Sequence, residues 1–147
     1  MSGANSMVDA EIALRTYLMG AEVMARLTGQ SGDEIKIFTH GWNSDRENVP
    51  YTAIMIRDVG GQGDNYMELD KPFVQVWARA TPGNVDTAKQ LIARLDDELH
   101  RLGPKEISDD VRCLTMLRNT GKQRLDDPDS QAVQYFITYN TVMQRIA

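Results

Sequence analysis

Phe73-Val74-Gln75-Val76-Trp77-Ala78-Arg79-Ala80-Thr81-Pro82-Gly83-Asn84-Val85 changes its period in the middle. Up to Arg79, apolar Val74, Val76 and Ala78 alternate with Phe73, Gln75, Trp77 and Arg79, the period of about 2 that marks a half-buried strand. Thr81-Pro82-Gly83-Asn84 then turns the chain. Beyond it Val85, Ala88, Leu91, Ile92, Leu95, Leu99 and Leu102 recur at a helical spacing of about 3.6. Asn84 stands where an N-cap belongs, Asp86 where the helix dipole favours a negative charge, and Gly103-Pro104 close the element after Leu102. A strand thus feeds an amphipathic helix spanning Val85–Leu102.

Working outward, Ile35–Thr39 and Tyr51–Arg57 read as strands before this unit, and Val111–Asn119 and Ala132–Met143 as strands after it. Two polar loops, His40–Pro50 and Asp58–Pro72, separate the first three strands, and the acidic stretch Thr120–Ser130 joins the last two. Both loops exceed ordinary hairpin length, a sign of function on a small scaffold. From Val8 to Thr28 the pattern is helical. Glu11, Arg15, Glu22 and Arg26 form one charged stripe, and Glu11–Arg15 and Glu22–Arg26 are i,i+4 pairs worth about 0.2–0.5 kcal/mol each on an isolated helix. Ile12, Leu14, Leu18, Met19, Val23 and Leu27 surround the stripe, with Tyr17 and Met24 filling the back. The helix is therefore apolar over most of its circumference, more than one buried face requires. The expected class is α+β, with a mainly antiparallel sheet, two helices packed on one face and the order α-β-β-β-α-β-β. Residues 1–7 read as a flexible N-terminal arm and 8–147 as one domain.

A chain of 147 residues buries roughly 68–70% of its unfolded surface, so it can build a core. The net charge of −5 argues against a general nucleic-acid binder. Cys113 is the single cysteine, which excludes an internal disulfide and a cysteine-rich metal site. No apolar run is long enough to cross a membrane, and no secretion signal is expected at the start.

Chemistry-bearing motifs are sparse. Gly60-Gly61-Gln62-Gly63-Asp64 contains G-x-G, but Tyr66 replaces the third glycine of a dinucleotide loop, and a flexible glycine loop is the plainer reading. Asp126-Asp127-Pro128-Asp129 lacks the glycine and glutamate of a calcium loop and reads as a solvated turn. His40, Ser44 and Asp45 share one loop, yet sequence neighbours seldom converge as a catalytic trio. His100 reads as a surface residue and Cys113 as a buried, inert thiol. No catalytic residue, metal or cofactor is expected. Trp42, Tyr51, Tyr66, Phe73 and Trp77 lie in or beside the long loops, where packing and interface roles compete. Val133–Met143 carries apolar or aromatic side chains on both faces, a second hint of a covered surface.

The whole order resembles the tail terminator (tail completion) proteins of tailed bacteriophages. The likeness runs from Val8-Asp9-Ala10-Glu11-Ile12-Ala13-Leu14-Arg15-Thr16-Tyr17-Leu18 through Val49-Pro50-Tyr51-Thr52-Ala53-Ile54 and the glycine-rich stretch to Phe73-Val74-Gln75-Val76-Trp77-Ala78. The capped helix and two closing strands complete it, so that about residues 8–145 are covered. The resemblance implies a structural virion protein, not an enzyme, placed in the tail or neck and assembled in the bacterial host cytoplasm. It implies a homo-oligomeric ring, usually a hexamer, that caps the tail tube protein and joins the head-tail connector or stopper protein. DNA would only pass through the lumen, and no membrane is involved. Head-to-tail rings need two different contact surfaces. Tyr17, Met24, Trp42, Tyr51, Tyr66, Phe73, Trp77 and Arg79 are the residues expected at subunit, tail or connector interfaces. Two alternatives stand beside this one: a small dimeric ligand-binding or regulatory domain, and a small hydrolase built on the His40 loop.

Overall fold

A computed structural model of the chain describes residues 8–29, 35–39, 42, 52–64 and 69–146. The elements are α1 (Ala10–Leu18), α2 (Ala21–Thr28), β1 (Lys36–Thr39), β2 (Ala53–Asp64), β3 (Leu69–Ala80), α3 (Val85–Leu99), β4 (Lys105–Ser108), β5 (Val111–Arg118), β6 (Gln123–Arg124) and β7 (Val133–Arg145). All strands join one seven-stranded sheet in the order β1-β2-β3-β7-β5-β4, with β6 paired to β7. The class is α+β, as expected, but the sheet is mixed: β1 runs parallel to β2 and every other pairing is antiparallel.

Where one long first helix was expected, the chain makes two. The amide of Met19 bonds back to the Arg15 carbonyl and that of Gly20 to the Tyr17 carbonyl, and Gly20 leaves the helical region at ψ 144 to start α2. Any residue can adopt that extended conformation, but a Cβ there would press on the Tyr17 carbonyl oxygen at 3.3 Å. The break solves the problem of the over-apolar helix from within the chain. Helix α1 buries Ala10, Ala13, Leu14 and Leu18, while α2 turns a different face inward with Val23, Met24 and Leu27. The charged stripe is divided in the same way. Glu11 is buried and accepts a 2.8 Å hydrogen bond from the Asp58 amide, Arg15 Nε donates to the Ile37 carbonyl at 3.0 Å, and Arg26 grips Glu98 of α3 with two bonds of 2.6 and 2.9 Å. All three side chains thus take partners distant in sequence, which the i,i+4 pattern does not announce.

Of the three expected loops, His40–Pro50 lies outside the described residues apart from Trp42, and the other two, described except for 65–68, are corrected. Asp58–Pro72 is largely a hairpin: β2 and β3 stay paired from Ala53↔Arg79 to Asp64↔Leu69, with a bulge between Asp58 and Gly61. Polar and glycine residues hid the strands because a bulge, not alternation, carries the chain through Val59-Gly60-Gly61. A Cβ on Gly61, at φ 145, would stand 2.6 Å from Pro72 Cα and closer still to the Lys71 carbonyl oxygen. Thr120–Ser130 contains β6, and backbone bonds from Leu125 to Gln134 and from Asp127 to Ala132 continue the ladder along β7. The third helix ends at Leu99 and not at Leu102, because His100 is extended and Arg101 adopts φ 68. Its expected N-cap is present, with Asn84 accepting from the Thr87 amide at 3.3 Å.

Helices α1 and α3 both pack on one face of the sheet, α3 over β3 and β7. Helix α1 touches β1 and β4, the two ends of the strand order, so the sheet must curl around it. The core lies between these layers, with Leu14, Leu18, Ile56, Val76, Leu95 and Tyr139 all fully buried. Tyr139 donates a 2.7 Å hydrogen bond to Asp96 of α3, which also receives Arg118 of β5 at 3.2 Å. A buried phenol between sheet and helix is thereby satisfied, as close packing requires.

Candidate assembly surface

The other face of the sheet carries no helix among the described residues. Register places its side chains in rows: Phe38, Met55, Trp77 and Phe136 in one, and Phe73, Asn140 and Leu117 in another. In the first row Trp77 stacks on Phe136 with ring centroids 4.3 Å apart and donates Nε1–H to Gln75 at 3.2 Å. Trp77 is only 7% exposed, because these neighbours cover it. Trp42 closes this end, edge-on to Phe38 at 6.0 Å and 5.1 Å from the Arg79 guanidinium. Arg79 is buried. Its guanidinium also donates to Ser130 at 3.2 Å and lies 4.0 Å from Asp127. Hydrogen bonds from the Asp129 amide and then from Ser130 hold the Asp127 carboxyl below its ordinary range. Arg79 thus ties Trp42 to the turn before β7 and serves the subunit's own architecture.

The second row is different. Phe73 is 41% and Leu117 46% exposed, on either side of exposed Asn140. Sequence reasoning selected Phe73 and missed Leu117 for a definable reason. A bulge between Cys113 and Thr115 breaks the alternation of β5, so buried Val111 and Cys113 are followed by buried Met116, and Leu117 turns outward. The alternation signal alone places Leu117 with Cys113. Ile12 of α1 and Met19 at its C-cap, 59% and 39% exposed, were read as part of an apolar surround and not as a site.

Of the other expected interface residues, Met24 belongs to the core, while Tyr17 is half-buried under Lys105, whose Nζ lies 5.3 Å from its ring. Tyr51 and Tyr66, like His40, lie outside the described residues. The structure gathers Trp42, Trp77, Arg79 and Phe73 on the outer sheet face. Tyr17 and Met24 stay with the helices.

Charge divides the same way. The described outward side chains of β2, β3, β5 and β7 include Arg57, Lys71 and Arg112 and no carboxylate; Arg112 meets Glu106 of β4 at 3.3 Å. The helical layer, residues 8–29 and 84–100, holds seven carboxylates against four lysines and arginines. Elsewhere the polar groups serve the fold. His100 Nδ1 accepts the Arg118 amide at 3.1 Å, and burial pushes the Cys113 thiol up to about 11, far from the reactive thiolate range. Arg124 grips Asp126 with two 2.9 Å bonds. Among the described residues no three histidine, cysteine or acidic side chains come together to hold a metal, and no helix is long and apolar enough to cross a membrane.

Comparison with known proteins gives the fold and the family. No curated protein matches the sequence. A chain from the virion of a native gene transfer agent particle shares the fold, with a TM-score of 0.63 at 13% identity over 92% of this chain and 94% of that one. The family model described as bacteriophage tail terminator protein matches residues 43–130, more than half of the sequence. The chain therefore belongs to the bacteriophage tail terminator family and is a structural component of the virion tail, not an enzyme.

Proposed function

We propose that copies of this chain close into a ring, six being the expected number, that caps the finished tail tube and offers its other rim to the head connector. The carrying observation is the placement of exposed apolar side chains on two opposite layers of one small subunit: Phe73 and Leu117 on the sheet, Ile12 and Met19 on α1. An isologous dimer needs one self-complementary patch, whereas a closed ring of head-to-tail contacts needs two unlike ones. DNA passes through the lumen without specific contact, in keeping with the net charge of −5. The test is mass by light scattering on the purified protein, alone and with tail tubes, followed by electron microscopy. Closed rings at tube ends are expected. A stable dimer indifferent to tubes would refute the proposal.

A further inference from the structure

We infer that in this ring, and resting on that reading, the outer sheet face of each copy docks on the helical layer of the next. The sheet edges are poor alternatives. At β1 the Ile37 carbonyl is already occupied by Arg15 at 3.0 Å, and β4 at the other end presents exposed Lys105 and Glu106 beside a bulge. Charged and bulged edges resist strand addition. Among the described residues no element covers the outer face, which centres on Phe73, Asn140 and Leu117, with exposed Arg57 and Lys71 beside that row. The helical layer is its complement: Ile12 and Met19 are exposed on α1, and Glu22, Asp86 and Asp97 face outward from α2 and α3. Opposite potentials across an interface fix register and disfavour wrong partners. A second copy of this chain supplies both the apolar and the acidic half of that match.

Charge reversal on each side tests this. R57E/K71E on the sheet and E22K/D97K on the helices should each raise the midpoint concentration for ring assembly more than about tenfold, with unchanged melting of the monomer. An equimolar mixture of the two variants should recover rings of alternating copies, because each interface then again joins opposite charges. A chain carrying all four substitutions should recover them as well, whatever the copy number. If R57E/K71E forms rings as readily as the parent, the sheet face is not the contact and the inference fails while the ring stands. If both variants lose rings and neither the mixture nor the fourfold variant regains them, the helical layer is not the partner. If R57E/K71E keeps its rings and loses an affinity of the parent for duplex DNA, the face belongs to the lumen and the inference is overturned. A parent that forms no ring, alone or on tubes, would instead refute the ring reading itself.

Discussion

Replacing Tyr139 with Phe removes one oxygen atom from the junction between sheet and helical layer. Tyr139 is fully buried, and its hydroxyl donates at 2.7 Å to Asp96, which keeps Arg118 at 3.2 Å after the change. A hydrogen bond to a charged group contributes about 1.5–3 kcal/mol, and the ring itself still fills the site. With Asp96 partly solvated and still paired, a loss of about 2 kcal/mol is expected, or a fall in Tm of about 4–8 °C for a domain of this size. The pH dependence supplies an independent check. Burial, and then the Asp96 hydrogen bond and charge, raise the Tyr139 phenol above its ordinary range. The folded state therefore holds a proton that the unfolded chain releases near pH 10, so this contribution is complete below about pH 10 and is lost as pH rises. The variant lacks that loss, and Cys113, raised with the same sign, is common to both proteins. Urea melts at pH 8 should separate the two proteins by about 2 kcal/mol, and the gap should narrow by pH 10.5. A gap under about 0.5 kcal/mol at pH 8, or one that widens with pH, would refute the reasoning.

Gly61→Ala should cost about 3 kcal/mol, because the new Cβ meets backbone across the hairpin, whereas Gly60→Ala, with nothing within 4 Å, should cost about 1–2 kcal/mol of backbone strain alone; equal losses in denaturant melts would contradict the bulge. Leu14→Ala, at a fully buried position in α1, should lose about 2–5 kcal/mol by the same measure. Phe73→Ser with Leu117→Ser should leave monomer stability within about 0.5 kcal/mol per site while assembly, followed by light scattering, is lost. A variant that unfolds would show this row to be core.

Much of the fold was legible because its signals are local. The strand Phe73–Arg79, the turn at Pro82-Gly83 and the cap at Asn84 stand where the sequence places them. What was not legible depends on partners distant in sequence. Nothing near Glu11 announces that it will accept the Asp58 amide, or that Arg26 will choose Glu98 over Glu22. The break at Gly20 was hidden because residues on both sides favour helix, and only the packing of α2 on α3 makes the bend worth its lost hydrogen bonds. The candidate surface was legible as an aromatic cluster but not as a division of labour. Trp77 and Arg79 share the outer face with Phe73, but neighbours cover them, Phe136 over Trp77 and Trp42 over Arg79, while Phe73 stays exposed.

Two bulges frame the exposed row. A bulge inserts one extra residue and so changes which later side chains of a strand share a face. In β5 the irregularity between Cys113 and Thr115 lets Cys113 and Met116 both be fully buried while Leu117 faces outward beside Asn140. In β2 the irregularity between Asp58 and Gly61 lies opposite Phe73 and leaves Val59, 42% exposed, on the far side of it. The exposed apolar residues Val59, Phe73 and Leu117 therefore cross the sheet from one bulge to the other. Leu114 is the unpaired extra residue, so removing it would join Cys113 to Thr115 in a regular ladder with Met116 still inward and Leu117 still outward. Leu117 is 46% exposed and Phe73 41%, so stability and assembly should prove separable at both ends of this row, whereas a change at buried Met116 should cost stability first.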